Sequence, residues 1–143
     1  MSGPEERKRW MAVLARASRA EIEALSGPEL PAHEIMKAPE TGTVMVEGRA
    51  GGAGRRFNLG EATMTRCIVR LSDGAMGFSY ALGRDGRKAR LAAILDARLQ
   101  RKSESALRQG VARLAEAQVA ARDLASRKAA ATKVDFFTLV RGA

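Results

Sequence analysis

Cysteine and histidine are nearly absent: the 143-residue chain carries one of each, Cys67 and His33. A disulfide framework needs cysteine pairs, and zinc-type sites take three or four Cys or His ligands, so neither fits within one chain. Aromatic residues make up only 4%, which leaves little for stacking against nucleic-acid bases. Acidic residues are also in short supply, 16 Asp and Glu against 25 Lys and Arg, giving a net charge of +9 and a pI near 10.8. Such a surface attracts anions, and charge alone leaves nucleic acid, anionic lipid, nucleotide and an acidic protein partner all open. Long apolar runs are missing as well. The amino-terminal MSGPEERKRWMAVLARAS is interrupted by Arg, too broken for a signal sequence and too short to span a bilayer, so the expected location is the cytoplasm.

What is present suits a folded chain. Hydrophobic residues at 45% and charged residues at 29% are ordinary for a globular protein, and the length predicts one domain over residues 1–143 with one modest core. Trp10, Val13, Leu14 and Ala17 recur at spacings of three and four, which predicts a helix over Glu5–Ala17. Ser18 followed by Glu21 fits a capping box for a second short helix that stops at Gly27-Pro28, giving a helical hairpin or kink.

The middle third changes to a period of two. His33–Ala38 is read as a first strand, Glu40-Thr41-Gly42 as a turn, and Thr43–Gly48 as a second strand. A third runs from Arg55, pauses at Gly60 and continues with Thr63, Thr65, Cys67, Val69 and Leu71 on one face and Met64, Arg66, Ile68 and Arg70 on the other. Asp73-Gly74 is a hairpin dipeptide of the kind found in type I′ turns, and Met76–Leu82 is the returning strand. Connections this short require antiparallel pairing.

Asp85 is placed to cap a helix whose apolar stripe is Leu91, Ile94, Leu95 and Leu99, with Arg87, Lys88, Arg90, Arg98, Arg101 and Lys102 on or near its solvated face. A further helix covers about Ser105–Lys128 with a narrow stripe of Leu107, Val111, Leu114, Ala121, Leu124 and Ala125, and Val134–Gly142 reads as a short extended segment. The expected class is therefore α+β. An antiparallel meander of about four strands is flanked by an amino-terminal helical hairpin and two carboxy-terminal helices.

Candidate chemistry is sparse. His33 lies near no nucleophile motif, so a solvated or capping role is the plain reading. Cys67 shares a strand face with Val69 and Leu71, and an apolar setting leaves a thiol inert. The stretch from Arg49 through Gly51-Gly52-Ala53-Gly54 to Arg56 can cradle phosphate, but it matches no nucleotide-binding fingerprint and leads into a strand, which favours a hairpin turn. Arg66 and Arg70 share one face of a strand, where two guanidinium groups need either water or an acidic partner; an exposed sheet face and an anion or subunit contact are both open. Phe136 and Phe137, two of the six aromatic residues, sit together near the end and are candidates for docking on this domain or on a partner. No metal, cofactor or catalytic constellation is expected in this chain.

Several residue combinations together resemble a known family. They are Arg9-Trp10-Met11, Glu40-Thr41-Gly42, Arg49-x-Gly51-Gly52-x-Gly54-x-Arg56-Phe57, Gly60-x-Ala62-Thr63-x-Thr65-Arg66, Val69-Arg70-Leu71-x-Asp73-Gly74, Leu82-Gly83-Arg84-Asp85, Asp96-Ala97 and the ending Val134-Asp135-Phe136-Phe137-Thr138. The pattern is similar to the PhnG family of the bacterial carbon-phosphorus lyase system. That resemblance implies an accessory subunit in a hetero-oligomer with PhnH-like, PhnI-like and PhnJ-like subunits. It also implies a step in which ATP and methylphosphonate give α-D-ribose 1-methylphosphonate 5-triphosphate and adenine, with the PhnI-like subunit carrying the nucleosidase chemistry. The iron-sulfur cluster and S-adenosylmethionine of the later radical step would belong to the PhnJ-like subunit, since a lone Cys67 cannot hold such a cluster. Phe136 and Phe137 would then dock on a partner, and Arg49, Arg56, Arg66 or Arg70 would meet an anion or a subunit. The alternative is a small basic nucleic-acid-binding protein.

Overall fold

Two short helices open the chain, α1 at Pro4–Arg16 and α2 at Arg19–Ser26. They are separated by the capping box the sequence predicts, in which Ser18 Oγ accepts from Glu21 N and Glu21 Oε1 accepts from Ser18 N. Gly27, at φ 74°, ends α2 in a conformation that a side chain disfavours. Three strands follow, β1 at His33–Arg49, β2 at Arg56–Leu71 and β3 at Met76–Leu82, in an antiparallel sheet of order β1-β2-β3. Helix α3, Gly86–Leu99, and helix α4, Ser105–Gly142, complete the architecture. This computed structural model describes the backbone of residues 3–49 and 56–142 and the side chains of residues 3–45 and 60–131.

The sheet has three described strands where about four are expected. His33–Ala38 and Thr43–Gly48 are one strand of 17 residues, because Glu40, Thr41 and Gly42 pair with Arg66, Thr65 and Met64 instead of turning. Gly42 takes no positive φ, so nothing in its backbone forces a reversal. Irregularities between Ile35 and Lys37 and between Lys37 and Glu40 take up the extra residues and bend the strand. Strand β2 likewise runs on through Gly60, whose φ of 143° accommodates a register shift beside Leu59.

The β2–β3 connection is also not the two-residue turn expected of Asp73-Gly74. Among described residues no non-glycine has positive φ, so Asp73 cannot take its place in a type I′ turn. Instead Gly74 N donates to Leu71 O at 2.9 Å, Leu71 N donates to Ala75 O at 2.9 Å, and only Gly74 is left-handed, at φ 94°. Asp73 closes this three-residue loop by accepting from Ala75 N, and that bond, aided by Arg101, holds its carboxyl below the usual carboxylate range.

Helix α3 is the centre of the molecule. Asp85 caps it by accepting from Lys88 N, as the sequence predicts, and Leu91, Ile94, Leu95 and Leu99 are buried. Its other side is not solvated, however. The buried row of the sheet (Thr65, Cys67, Val69, Leu71, Ser79, Ala81) packs on α3, α2 packs on α3 as well, and α1 lies against both α3 and β3, with α4 laid against α1 and α2. Lys88, expected on a wet face, is buried and its Nζ donates to Leu82 O at 2.8 Å. Arg98 bonds Glu104 and Ser26 O, Arg87 bonds Glu23, and Arg101 bonds Asp73. Four of the six basic residues expected on or near that face thus have partners within the chain, Lys88 and Arg98 largely buried and Arg87 and Arg101 at the surface.

One buried carboxylate ties the layers together. Asp96 of α3 is wholly buried and accepts from Arg7 Nε at 3.2 Å, Arg7 Nη2 at 2.8 Å, Trp10 Nε1 at 2.7 Å and Phe78 N at 2.9 Å. It therefore links α1, α3 and β3, and the same bond holds the Arg7 guanidinium protonated more firmly than usual. Of the stripe the spacing predicts, Trp10, Leu14 and Ala17, the last as the C-cap of α1, are buried, and Val13 is half-buried against the core.

The last helix departs furthest from expectation. Val134–Gly142 continues α4 and is not an extended segment. No Pro or Gly interrupts the chain between Gly110 and Gly142, and an Ala-rich helix already under way propagates at little cost per residue. Of its expected stripe, Leu107, Val111 and Leu114 are buried, while Ala121, Leu124 and Ala125 are exposed.

Replacing Asp96 with Ala strands the Trp10 and Phe78 donors and leaves Arg7 uncompensated. The expected cost is about 3–5 kcal/mol, read as a lower urea midpoint at unchanged slope, whereas the exposed Asp123→Ala should shift stability by less than about 0.5 kcal/mol.

Candidate interaction face

The row of β3 that faces α3 is made of small residues, Gly77, Ser79 and Ala81, and it meets a small-residue surface of the helix, Ala89, Ala92, Ala93 and Ala97. The approach is so close that a Cβ added at Gly77 would lie 1.9 Å from Ala93 O. Because side chains alternate along a strand, this close fit turns the large row of β3, Met76, Phe78, Tyr80 and Leu82, to the outer face of the sheet. Tyr80 is 47% exposed and Leu82 39%. Alternation of large and small side chains over Met76–Leu82 is legible in the sequence, but period alone gives no warning that the small row is the buried one. The complementary signal was the alanine row of α3.

Arg66 and Arg70 also project from this outer face, as the strand period predicts, and they have acidic partners in their own sheet. Arg70 Nη2 lies 2.9 Å from Glu34 Oε2 and Arg66 Nη2 lies 3.7 Å from Glu40 Oε1, each across a register pair of β1 and β2, and Glu40 is shared with Lys37 at 3.3 Å. Both arginines are about half exposed, and ion pairs in such settings contribute roughly 0–1 kcal/mol. They remain available to an incoming anion or subunit. Tyr80 stands beside them, opposite Arg66 in the β2–β3 ladder.

A groove of about 550 Å³ opens where α1 approaches β3, lined by Pro4, Arg7, Lys8, Trp10, Phe78 and Tyr80 among others. Its walls are aromatic and cationic, with the Arg7 guanidinium 5.4 Å from the centre of the Phe78 ring. The edge of β3 beside it is closed by α3. Lys88 Nζ donates to Leu82 O, Gln100 Nε2 donates to Met76 O at 2.7 Å, and Asp96 accepts from Phe78 N.

The four candidate arginines do not converge. Arg49 and Arg56 are register partners at the far end of the β1–β2 ladder, and ten strand residues, roughly 33 Å at 3.3 Å each, separate Arg56 from Arg66. The glycine-rich stretch between Arg49 and Arg56 and the side chains of Arg49, Arg56, Phe136 and Phe137 lie outside the described residues. What the backbone gives is that residues 49 and 56 close an antiparallel pair, as a hairpin requires, and that residues 136 and 137 sit in α4. From Val119 to Ala131 every residue of that helix is exposed. At about 1.5 Å per residue, Val119–Gly142 forms a rod roughly 35 Å long.

His33 bonds Pro31 O through Nδ1 at 2.9 Å. Cys67 is buried, and desolvation pushes its thiol pKa up against weaker opposing effects of the Ile68 backbone and Arg90. Among the described residues no three His, Cys, Asp or Glu side chains group as metal ligands, and no helix is long and apolar enough to cross a membrane.

The family described as "Phosphonate metabolism protein PhnG" matches residues 5–142. A curated protein of Rhizobium meliloti (strain 1021), "Alpha-D-ribose 1-methylphosphonate 5-triphosphate synthase subunit PhnG", is 47% identical over 148 residues, covering 99% of this chain and 92% of that protein.

The setting of Cys67 yields a test that needs no partner. A thiol reagent such as dithionitrobenzoate should leave the native chain unmodified over hours at pH 8 and titrate one thiol promptly in denaturant; fast native reaction would show a thiolate this packing does not allow.

Proposed function

The chain belongs to the PhnG family of phosphonate-metabolism proteins, and on that footing we propose that it is an accessory subunit of the bacterial carbon-phosphorus lyase core complex. In this role it supports the step that makes α-D-ribose 1-methylphosphonate 5-triphosphate and adenine from ATP and methylphosphonate. The observation that carries the reading is the match, over nearly its whole length, to a protein that bears that synthase activity in its name. The lack of a convergent acid, base or nucleophile among the described residues fits a chain that contributes surface to a shared enzyme instead of an active site of its own.

Its partners in this reading are the PhnI-like, PhnH-like and PhnJ-like subunits, it acts as one domain, and the setting is the cytoplasm. The nucleosidase chemistry falls to the PhnI-like subunit. The iron-sulfur cluster and S-adenosylmethionine fall to the PhnJ-like subunit, because clusters of this kind take several thiolates and this chain has one buried cysteine.

Docking uses the outer face of the sheet and the end of α4. Met76, Phe78, Tyr80 and Leu82 make an apolar row uncommon on a solvated sheet face, and Phe136 with Phe137 adds a second apolar element whose burial contributes roughly 3–6 kcal/mol before association costs. Arg66 and Arg70, half exposed beside that row, supply charge-assisted contacts to an acidic subunit surface or to the triphosphate at a subunit boundary.

An affinity pull-down of the tagged chain from phosphate-starved native cells, with nuclease and moderate salt, should recover the other phosphonate subunits in fixed ratio. Recovery of ribosomal or DNA-associated proteins alone, lost on nuclease treatment, would sink the proposal in favour of nucleic-acid binding. Changing Phe136 and Phe137 together to Ala should weaken assembly while the free chain stays soluble, and undiminished assembly would refute docking through them. Arg66→Gln and Arg70→Gln should each lower ATP-dependent adenine release in the assembled complex; unchanged turnover in both would remove them from any anion contact.

A further inference from the structure

The two edges of the sheet are treated differently. Ladder bonds place the backbone groups of Thr63 and Leu71 toward β3, since Gly83 N donates to Thr63 O and Leu71 N donates to Ala75 O. By the two-residue alternation, the even-numbered residues of β2 bond to β1. Their partners Gly42 and Val44 therefore point inward, and the N–H and C=O groups of Thr41, Thr43 and Met45 point away from the sheet. On the β3 edge three of the corresponding outward groups, Leu82 O, Phe78 N and Met76 O, are met by Lys88, Asp96 and Gln100. On the β1 edge no described side chain or backbone group bonds to the outward groups of Thr41, Thr43 or Met45, and no charge interrupts the run Thr41–Met45. The usual edge defences flank the run without entering it: two register irregularities with Lys37 and Pro39 come before it, and a third irregularity, between Val46 and Glu47, follows it.

This open row also begins the part of the sheet with least support. Strand β3 pairs with β2 only as far as Met64, whereas β1 and β2 remain paired out to Arg49 and Arg56, so beyond Thr43 and Thr63 the sheet is a two-stranded ribbon. Val44 at 41% and Met45 at 54% exposure lie on its opposite faces. Two strands alone are marginal in water, and a third strand with an apolar face stabilises such a ribbon.

We propose that the edge of β1 over Thr41–Met45 is a strand-addition site that takes an extended, acidic segment from another subunit of the complex. The inference rests on the accessory-subunit reading. Main-chain pairing fixes the class of occupant, because a row of outward N–H and C=O groups is matched by another strand. Charge favours a foreign strand over a second copy, because two chains of +9 repel. A pairing of about five residues is too small to hold a complex alone. It adjoins the outer face, where Val44 and Tyr80 line one shallow cavity of about 280 Å³.

Proline separates this idea from a merely structural role. At Thr43 it removes an outward N–H that the fold does not use, a substitution edge strands tolerate. The probe is the host's phosphonate complex purified without this chain and titrated with labelled wild type, Thr43→Pro and Thr43→Ala. Thr43→Pro should keep the wild-type melting temperature to within a few degrees and lose at least tenfold in affinity, while Thr43→Ala loses little. Amide exchange of the wild-type chain gives an answer without any variant. Thr41, Thr43 and Met45 should exchange quickly in the free chain and at least tenfold more slowly in the complex, with Gly42 and Val44 protected in both. Equal affinity of a folded Thr43→Pro, or unchanged exchange at the three amides on assembly, overturns the inference and leaves the subunit reading standing. Protection of those amides in a concentration-dependent dimer of the free chain overturns it in favour of a second copy. Wild type that never joins the complex overturns the subunit reading, and this inference with it.

Discussion

The Asp96 carboxylate is the constraint around which the rest is arranged. A wholly buried charge is tolerable only when an opposite charge and hydrogen-bond donors surround it, and two elements far apart in sequence supply them: Arg7 and Trp10 from α1, and the Phe78 amide from β3. That arrangement sets where α1 lies against the sheet edge. It also orients α3, because the turn that carries Asp96 must face Phe78, and Lys88 and Gln100 on the same side then reach the outward carbonyls of Leu82 and Met76.

With α3 held in that position, the packing of β3 follows. Alanines on the helix and Gly77, Ser79 and Ala81 on the strand permit an approach that larger residues would block, and the large side chains of β3 are left on the opposite face. A domain of this size thus buries a core rich in alanine and keeps an aromatic and aliphatic row at its surface. For a chain that acts within an assembly this is a consistent use of few aromatics, because the ones not needed inside lie where another subunit can cover them. The fold closes one sheet edge with its own side chains and leaves the other open, and it carries α4 well past the body. Surface of three kinds, a face, an edge and a rod, is offered by a chain that binds much of its own cationic charge in internal pairs.

Local signals were readable wherever a residue's own neighbours decide its conformation. The capping box at Ser18 and Glu21, the Asp85 cap, the stripe of Trp10 and Leu14 and the alternation from Thr65 to Leu71 are all visible in sequence because each depends on contacts one to four residues away. Readings that failed turned on partners at a distance. Glu40-Thr41-Gly42 has the composition of a turn, yet β2 holds it in a ladder. Lys88 and Arg98 have the spacing of a wet helix face, yet α2, β3 and their carbonyls enclose them. Residues 134–142 have strand-like composition, yet they continue a helix already formed. Of the candidate site, the shared face of Arg66 and Arg70 was legible; Glu34 and Glu40 as their partners, and Met76, Phe78, Tyr80 and Leu82 as the outward row, were not.

The sequence by itself determined the α+β class, the antiparallel meander, the helix caps and, through the residue combinations that mark it, the family to which the chain belongs. These follow from periodicity, capping and motif, which are properties of short stretches. Tertiary structure alone decided which row of β3 is buried, which edge of the sheet is closed, how Asp96 is satisfied and which cations remain available. Each of those depends on groups of separate elements meeting in space, some as far apart in sequence as Arg7 and Asp96, and no local rule carries that information.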